Sequence, residues 1–287
     1  MVGARGDIGG HAAGGCAAGN RDPPDRACSR RSARPGDYDR SMARLEEIIA
    51  YADALLETHR FPEFGPAGLQ VRGAPEVTRI VCGVSSARAL FEQAVERGAE
   101  LVLVHHGLFW RNEALVIDTR QRGRLEALFA GNASLAAYHL PLDAHPTLGN
   151  AAQLAARLGA MVEGEFGPYG LACTVEAQPV EVFAAAVASV TGREPLVLPH
   201  GPALVRRIAI ATGAAGHDLV RAAHLGFDLL LTGEPEEPSL QTAIELGTHF
   251  VAAGHHATER FGVQALAAHL AERFALKWEY VELANPV

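Results

Sequence analysis

The chain has 287 residues, 25 Lys+Arg against 33 Asp+Glu for a formal charge of −8, and 48% of it is apolar. That is material for one large or two medium domains with buried cores. The negative balance argues against nucleic-acid binding, which calls for a basic surface, and with Lys277 as the single lysine neither Schiff-base chemistry nor a GxxxxGK[ST] phosphate loop has support.

Residues 1–41 hold 8 of the 30 glycines, 7 arginines and 5 aspartates, with no Leu, Phe or Trp. Such a segment cannot bury enough apolar surface to offset its ordering entropy. It is expected to be a disordered N-terminal extension, ahead of a true start at Met42. Its charge of +2 leaves −10 on the remainder. From Met42 the pattern changes: Leu45, Ile48, Ile49, Ala52 and Leu56 fall at helical spacing.

Residues 79–106 then read as strand, helix, strand, with Gly98 at the helix exit, and residues 207–234 repeat this grammar at an offset of 128 with Gly226 in the same place. Residues 125–143 and 241–259 correspond at an offset of 116: Gly131 with Gly247, His139 with His255, Asp143 with Glu259. Apolar strands separated by helices predict a mainly parallel, helix-covered sheet in each half. The fold class expected is therefore α/β, with two similar lobes from an internal duplication: a first lobe over 42–165 and a second over 166–287, whose C-terminal segment can pack back on the first.

By this reading four strands end in HH (105–106), HLPLD (139–143), TGE (232–234) and HHATE (255–259). Open α/β sheets gather their sites at such carboxyl ends. Residues 105 and 106 alternate faces on a strand, so one ion would not easily take both; two ions, or a sharp turn after Val104, would. His255 and Glu259 share a face if a helix starts near residue 255. His139 and Asp143 have the same spacing, but Pro141 between them favours an extended or turning loop. Each piece alone reads equally well as exposed, capping or loop histidines; together they form a constellation with His256 and Glu234 beside it.

Histidine and carboxylate donors without cysteine suit Zn²⁺, Mn²⁺, Fe²⁺, Ni²⁺ or Co²⁺. No HExxH or GxSxG is present. Cys16, Cys28, Cys82 and Cys173 form no CxxC pair, as expected of reduced thiols in a cytoplasmic protein, with Cys82 and Cys173 inert in apolar strands. No apolar run approaches the ~20 residues of a spanning helix, and no secretory h-region opens the chain. Arg120, Arg122 and Arg124 read as a solvated face.

The blocks GLQVRG (68–73), LVLVHHGLFW (101–110), YHLPLDAHPTLGN (138–150), LLLTGE (229–234) and AAGHHATERFGVQAL (252–266), with the closing NPV, give residues 42–287 a specific resemblance. The chain resembles the NIF-three-like family, whose members are called GTP cyclohydrolase 1 type 2 homologues, and in particular the compact bacterial type without a domain between the halves. What the resemblance implies is a two-lobed α/β fold with two divalent ions in the cleft. Their ligands would be His105, His106, Asp143, His255 and Glu259, with Glu259 reaching both ions. His139, Glu234 and His256 would stand behind these ligands or face substrate. It also implies a toroidal homohexamer. Two M²⁺ against two carboxylates leave about +2, which invites a small anionic substrate and hydrolysis. The reading is a metal-dependent hydrolase of a nucleotide or similar molecule; the alternative is a metallochaperone or regulatory scaffold without turnover.

Overall fold

The structure, a computed structural model, describes residues 42–287; the expected disorder of 1–41, and Cys16 and Cys28 with it, lie outside the described residues. In chain order the first part comprises β1 (Ala43–Arg44), α1 (Leu45–Leu55), β2 (Gly68–Val71), β3 (Glu76–Val77), β4 (Arg79–Ser85), α2 (Arg88–Glu96), β5 (Leu101–His106), α3 (Thr119–Ala130), β6 (Ser134–Ala137), α4 (Leu140–Asp143) and α5 (Asn150–Arg157). There follow β7 (Met161–Phe166), β8 (Gly170–Gln178), α6 (Val180–Thr191), β9 (Leu196–Leu198), β10 (Val205–Ile210), α7 (Leu219–His224), β11 (Leu229–Thr232), α8 (Ser239–Leu246), β12 (His249–Ala252), α9 (His255–Phe274) and β13 (Lys277–Tyr280).

Two sheets organise these elements. The first has the order β13-β4-β5-β6-β2 and the second β7-β8-β10-β11-β12-β9. β13, β4, β5 and β6 run parallel, with β2 antiparallel at the edge. In the second sheet β10, β11 and β12 run parallel, while β7, β8 and β9 join antiparallel. The mainly parallel arrangement expected thus holds for the centre of each sheet, and antiparallel strands complete the edges. The division expected at 165/166 falls inside β7: Met161 pairs with Thr174 and Phe166 with Gly170, so the whole strand belongs to the second sheet.

Strand alternation feeds helices on both faces. From β4 and β5, Ile80, Cys82, Leu101 and Leu103 face a core with Leu45 and Ile48 of α1 and Val263, Leu266 and Leu270 of α9. Val81, Val102 and Val104 face Leu90 and Phe91 of α2 and Leu128 of α3. The second sheet is built likewise, with α5, α6 and Phe261 of α9 on one face and α7 and α8 on the other. Cys82 and Cys173 are buried, and burial pushes both thiols up, that of Cys173 to about 11. Among the described residues no helix is long and apolar enough to cross a membrane.

α9 contributes to both cores, so its direction is set by packing along most of its 20 residues. Its first turn consequently projects His255 and Glu259 from a buried, braced support.

Candidate metal centre

β5 ends in His105 and His106, and β6 leads through His139 into α4. There, Pro141 sits in the first helical turn, where the N–H it lacks would have no partner anyway. The segment 139–143 is therefore a single helical turn and not an extended loop. The amides of Leu142 and Asp143 both donate to the His139 carbonyl, at 2.9 and 3.0 Å. On the other side β12 leads through Gly254 into α9.

These ends converge. Glu259 Oε2 lies 3.7 Å from His105 Nε2, 3.0 Å from His106 Nε2 and 2.9 Å from His255 Nε2. Asp143 Oδ2 lies 3.5 Å from His105 Nε2. Strand alternation does not separate His105 and His106, whose ring centroids are 4.8 Å apart, because at the strand's end both imidazoles reach the same oxygen. Three groups bring their donor atoms within 4.8 Å of one another: His105–His106–His139, His106–His255–Glu259 and His105–Asp143–Glu259.

Each ring is held at its other nitrogen. His105 Nδ1 faces the Tyr138 carbonyl at 3.0 Å, His106 Nδ1 the Ser85 hydroxyl at 3.2 Å, and His255 Nδ1 the Glu234 carboxylate at 2.5 Å. A neutral imidazole donating at Nδ1 presents a lone pair at Nε2. Three Nε2 atoms surround the buried Glu259 Oε2, none aligned to hydrogen-bond it, and each can present a lone pair once its proton is displaced. Imidazole nitrogens facing an unpartnered buried carboxylate oxygen are a donor set that a divalent cation fits once the protons are displaced. Asp143 Oδ1 accepts from Asn150 Nδ2 at 2.8 Å, while Asn150 Oδ1 accepts from the Gly262 amide of α9 at 2.7 Å. Gly213, at φ +67°, lies so close to Glu259 that a Cβ there would sit 2.1 Å from Oε1; only glycine allows this approach.

The charges are strongly coupled. Burial raises the Glu259 carboxyl, but His105, His106 and His255 outweigh it and hold it well below the usual range. Burial lowers His105, yet Asp143 and Glu259 lift it to about 9; His255, lowered by burial, is lifted to about 9 by Glu259 and Glu234. His106 is pushed down to about 4 by burial, against the pull of Glu259. Without a cation, protons on His105 and His255 offset the central carboxylate.

His139 lies beside His105, centroids 4.9 Å apart, with its Nδ1 3.3 Å from Glu63 Oε2. His256 points elsewhere: its Nε2 lies 2.6 Å from Glu282 Oε1 and it joins none of the three groups, since a one-residue step on a helix turns the side chain away from His255. Glu63, Asn150 and Ser85 were not expected at the site. Asn150 alone had a local signal, a Gly-Asn pair at a helix start just after HLPLD. Arg120 and Arg122 pair with Glu113 and Glu126 on exposed surface.

A cavity of about 820 Å³ adjoins the cluster, with His106, His139, Asp143, His255 and Glu259 on its wall beside Phe64, Trp110, Tyr169, Arg111 and Arg221.

Residues 43–286 match the Duf34/NIF3 (NGG1p interacting factor 3) family along nearly the whole described chain. The chain belongs to this family. It is 45% identical over 249 residues to the GTP cyclohydrolase 1 type 2 homolog of Pseudomonas aeruginosa, covering 84% of this chain and 98% of that one. Among solved structures, ybgI, titled as of unknown function, superposes with a TM-score of 0.83 at 40% identity over 85% of this chain and all of that one. TTHA1606 from Thermus thermophilus superposes at 0.80 with 34% identity over 85% of this chain and 100% of that one. The α/β fold of this chain is the NIF3 fold, as the motif blocks implied.

Proposed function

We propose that this NIF3 protein is a dinuclear metal-dependent hydrolase of a nucleotide or similarly small anionic molecule, with His105, His106, Asp143, His255 and Glu259 as ligands. Glu259 Oε2 carries the reading: a buried carboxylate oxygen without a hydrogen bond, faced by three imidazole nitrogens. Two of the donor groups share Glu259, which supports two neighbouring ions with this residue between them. When bound, ions of this kind supply Lewis acidity to a substrate oxygen and raise the nucleophilicity of water near neutral pH.

The chain's own residues hold the geometry. The Tyr138 carbonyl, Ser85 and Glu234 fix three imidazole rings, and Asn150 turns Asp143 inward. Trp110, Phe64 and Tyr169 offer flat apolar walls to a planar ring, and Arg111 and Arg221 offer charge to an anion. Neither arginine pairs with a carboxylate among the described residues. The matching β-α-β-α-β order of β4–β6 and β10–β12 supports the internal duplication. Exposed Val220, Leu240 and Ile244 on the contacting helices α7 and α8 support self-association, for which a hexameric ring is the reading.

The test is turnover of a nucleotide panel, beginning with GTP, by metal-stripped protein reloaded with Zn²⁺, Mn²⁺, Fe²⁺, Co²⁺ or Ni²⁺. Turnover is expected only with metal, and is expected to vanish in Glu259→Ala while the assembly state is unchanged. Tight binding of every ion without turnover contradicts the hydrolase and favours a metal carrier or scaffold.

A further inference from the structure

His139 stands in the three-histidine group yet in neither group that contains a carboxylate. Its surroundings nevertheless repeat those of the other three rings. Each of His105, His106 and His255 has Nδ1 set against an oxygen and Nε2 left for the centre. His139 has Nδ1 set against Glu63 Oε2 at 3.3 Å, which leaves Nε2 as its free donor. The spacing repeats too: His139 precedes Asp143 by four residues as His255 precedes Glu259, and each of the two imidazoles is held by a glutamate.

Glu63 is an unusual residue for a surface segment. Its side chain is only 10% exposed, and Oε1 is buried without a partner. The Phe64 amide donates to Oε2 at 3.2 Å, and Arg111 donates to the Glu63 backbone carbonyl, not to the carboxylate. Among the described residues His139 is its only side-chain partner. A buried carboxylate without a compensating charge is costly, so retaining one here points to a task at His139. Trp110 and Phe64 flank the same imidazole, with centroids 5.4 and 6.1 Å away, and restrict its rotation.

We propose that His139 is a sixth metal ligand, donating through Nε2 beside His105 and His106, and that Glu63 is the positioning residue that holds its ring. The inference rests on the dinuclear reading above. An imidazole-rich face of this kind takes a borderline divalent ion such as Co²⁺ or Zn²⁺ in preference to an oxygen-seeking one.

The experiment is the visible absorption of Co²⁺-loaded full-length protein, with bound cobalt counted, for wild type, His139→Ala, Glu63→Ala and Glu63→Gln. Loss of an imidazole ligand alters the ligand-field bands, so His139→Ala is expected to shift them. Glu63→Ala shifts them in the same direction and weakens retention of one ion by roughly 10–100-fold. Glu63→Gln, whose amide oxygen still accepts from Nδ1–H, restores the wild-type spectrum. Should Glu63→Ala fail to fold, Glu63→Leu removes the acceptor while keeping the bulk, with the same shift expected. A His139→Ala spectrum superimposable on wild type overturns the sixth ligand. A shifted His139→Ala beside an unshifted Glu63→Ala or Glu63→Leu overturns the role of Glu63. Wild-type protein that binds no Co²⁺ overturns the metal reading itself, and this inference with it.

Discussion

His139 and Asp143 leave the end of β6, His255 and Glu259 leave the end of β12, and four residues separate imidazole from carboxylate in both pairs. The supports differ. α4 is one turn with a proline as its second residue, whereas α9 runs for 20 residues and contributes to the cores of both sheets. The carboxylates differ by one methylene. Glu259 Oε2 reaches three imidazoles, while Asp143 Oδ2 comes within 3.5 Å of one. Their ionisation follows. The surrounding imidazoles hold Glu259 ionised against its burial, whereas burial raises the Asp143 carboxyl, with His105 opposing and Glu259 adding to the rise. The same spacing on two strand ends therefore yields a shared central anion on one side and a peripheral one on the other.

Exchanging the reach of the two carboxylates has the largest expected effect. Glu259→Asp withdraws the oxygen common to both carboxylate-containing groups, and metal affinity at both positions is expected to fall by at least about 100-fold, beyond what loss of an outer partner costs. Asp143→Ala is expected to weaken one ion and spare the other. Competition with a chromophoric chelator measures both, and equal losses at the two positions in Asp143→Ala would erase the distinction. A smaller effect sharpens it: Asn150→Ala frees Asp143 Oδ1 and the Gly262 amide together, and about a 10-fold loss confined to the ion near Asp143 is expected. A loss of the same size at the ion near His255 would contradict it.

Most of the cluster's outline was legible in the chain because polar residues at strand ends follow from local pattern. Apolar runs marked the strands, glycines the helix exits, and the residues just beyond each run were the polar ones. Alternation alone would part His105 and His106, but it describes a strand's middle and not its end, and the sequence left two ions or a turn after Val104 open. Pro141 read as a loop former, but at the first turn of a helix it is permitted. Glu63 could not be found from pattern at all: it lies 76 residues from His139, and only tertiary packing brings their side chains together. His256, a histidine inside the strongest motif, turns its side chain to Glu282. Antiparallel edge strands also escaped, because a short apolar run carries no sign of direction.

Glu259 and the imidazoles around it are proposed to form a place for two divalent ions. Calorimetric titration of metal-stripped protein with Zn²⁺ at several pH values between 6.5 and 9 tests it most directly. His105 and His255 titrate near 9 in the absence of a cation, above the ordinary histidine value of 6.5. Below 9 each therefore holds a proton that a metal must displace, and affinity is expected to rise with pH across this window. Two ions per chain, proton release on binding at neutral pH, and tighter binding toward pH 9 are expected. Saturation at less than one ion per chain, or an affinity that falls as pH rises from 6.5, would contradict it.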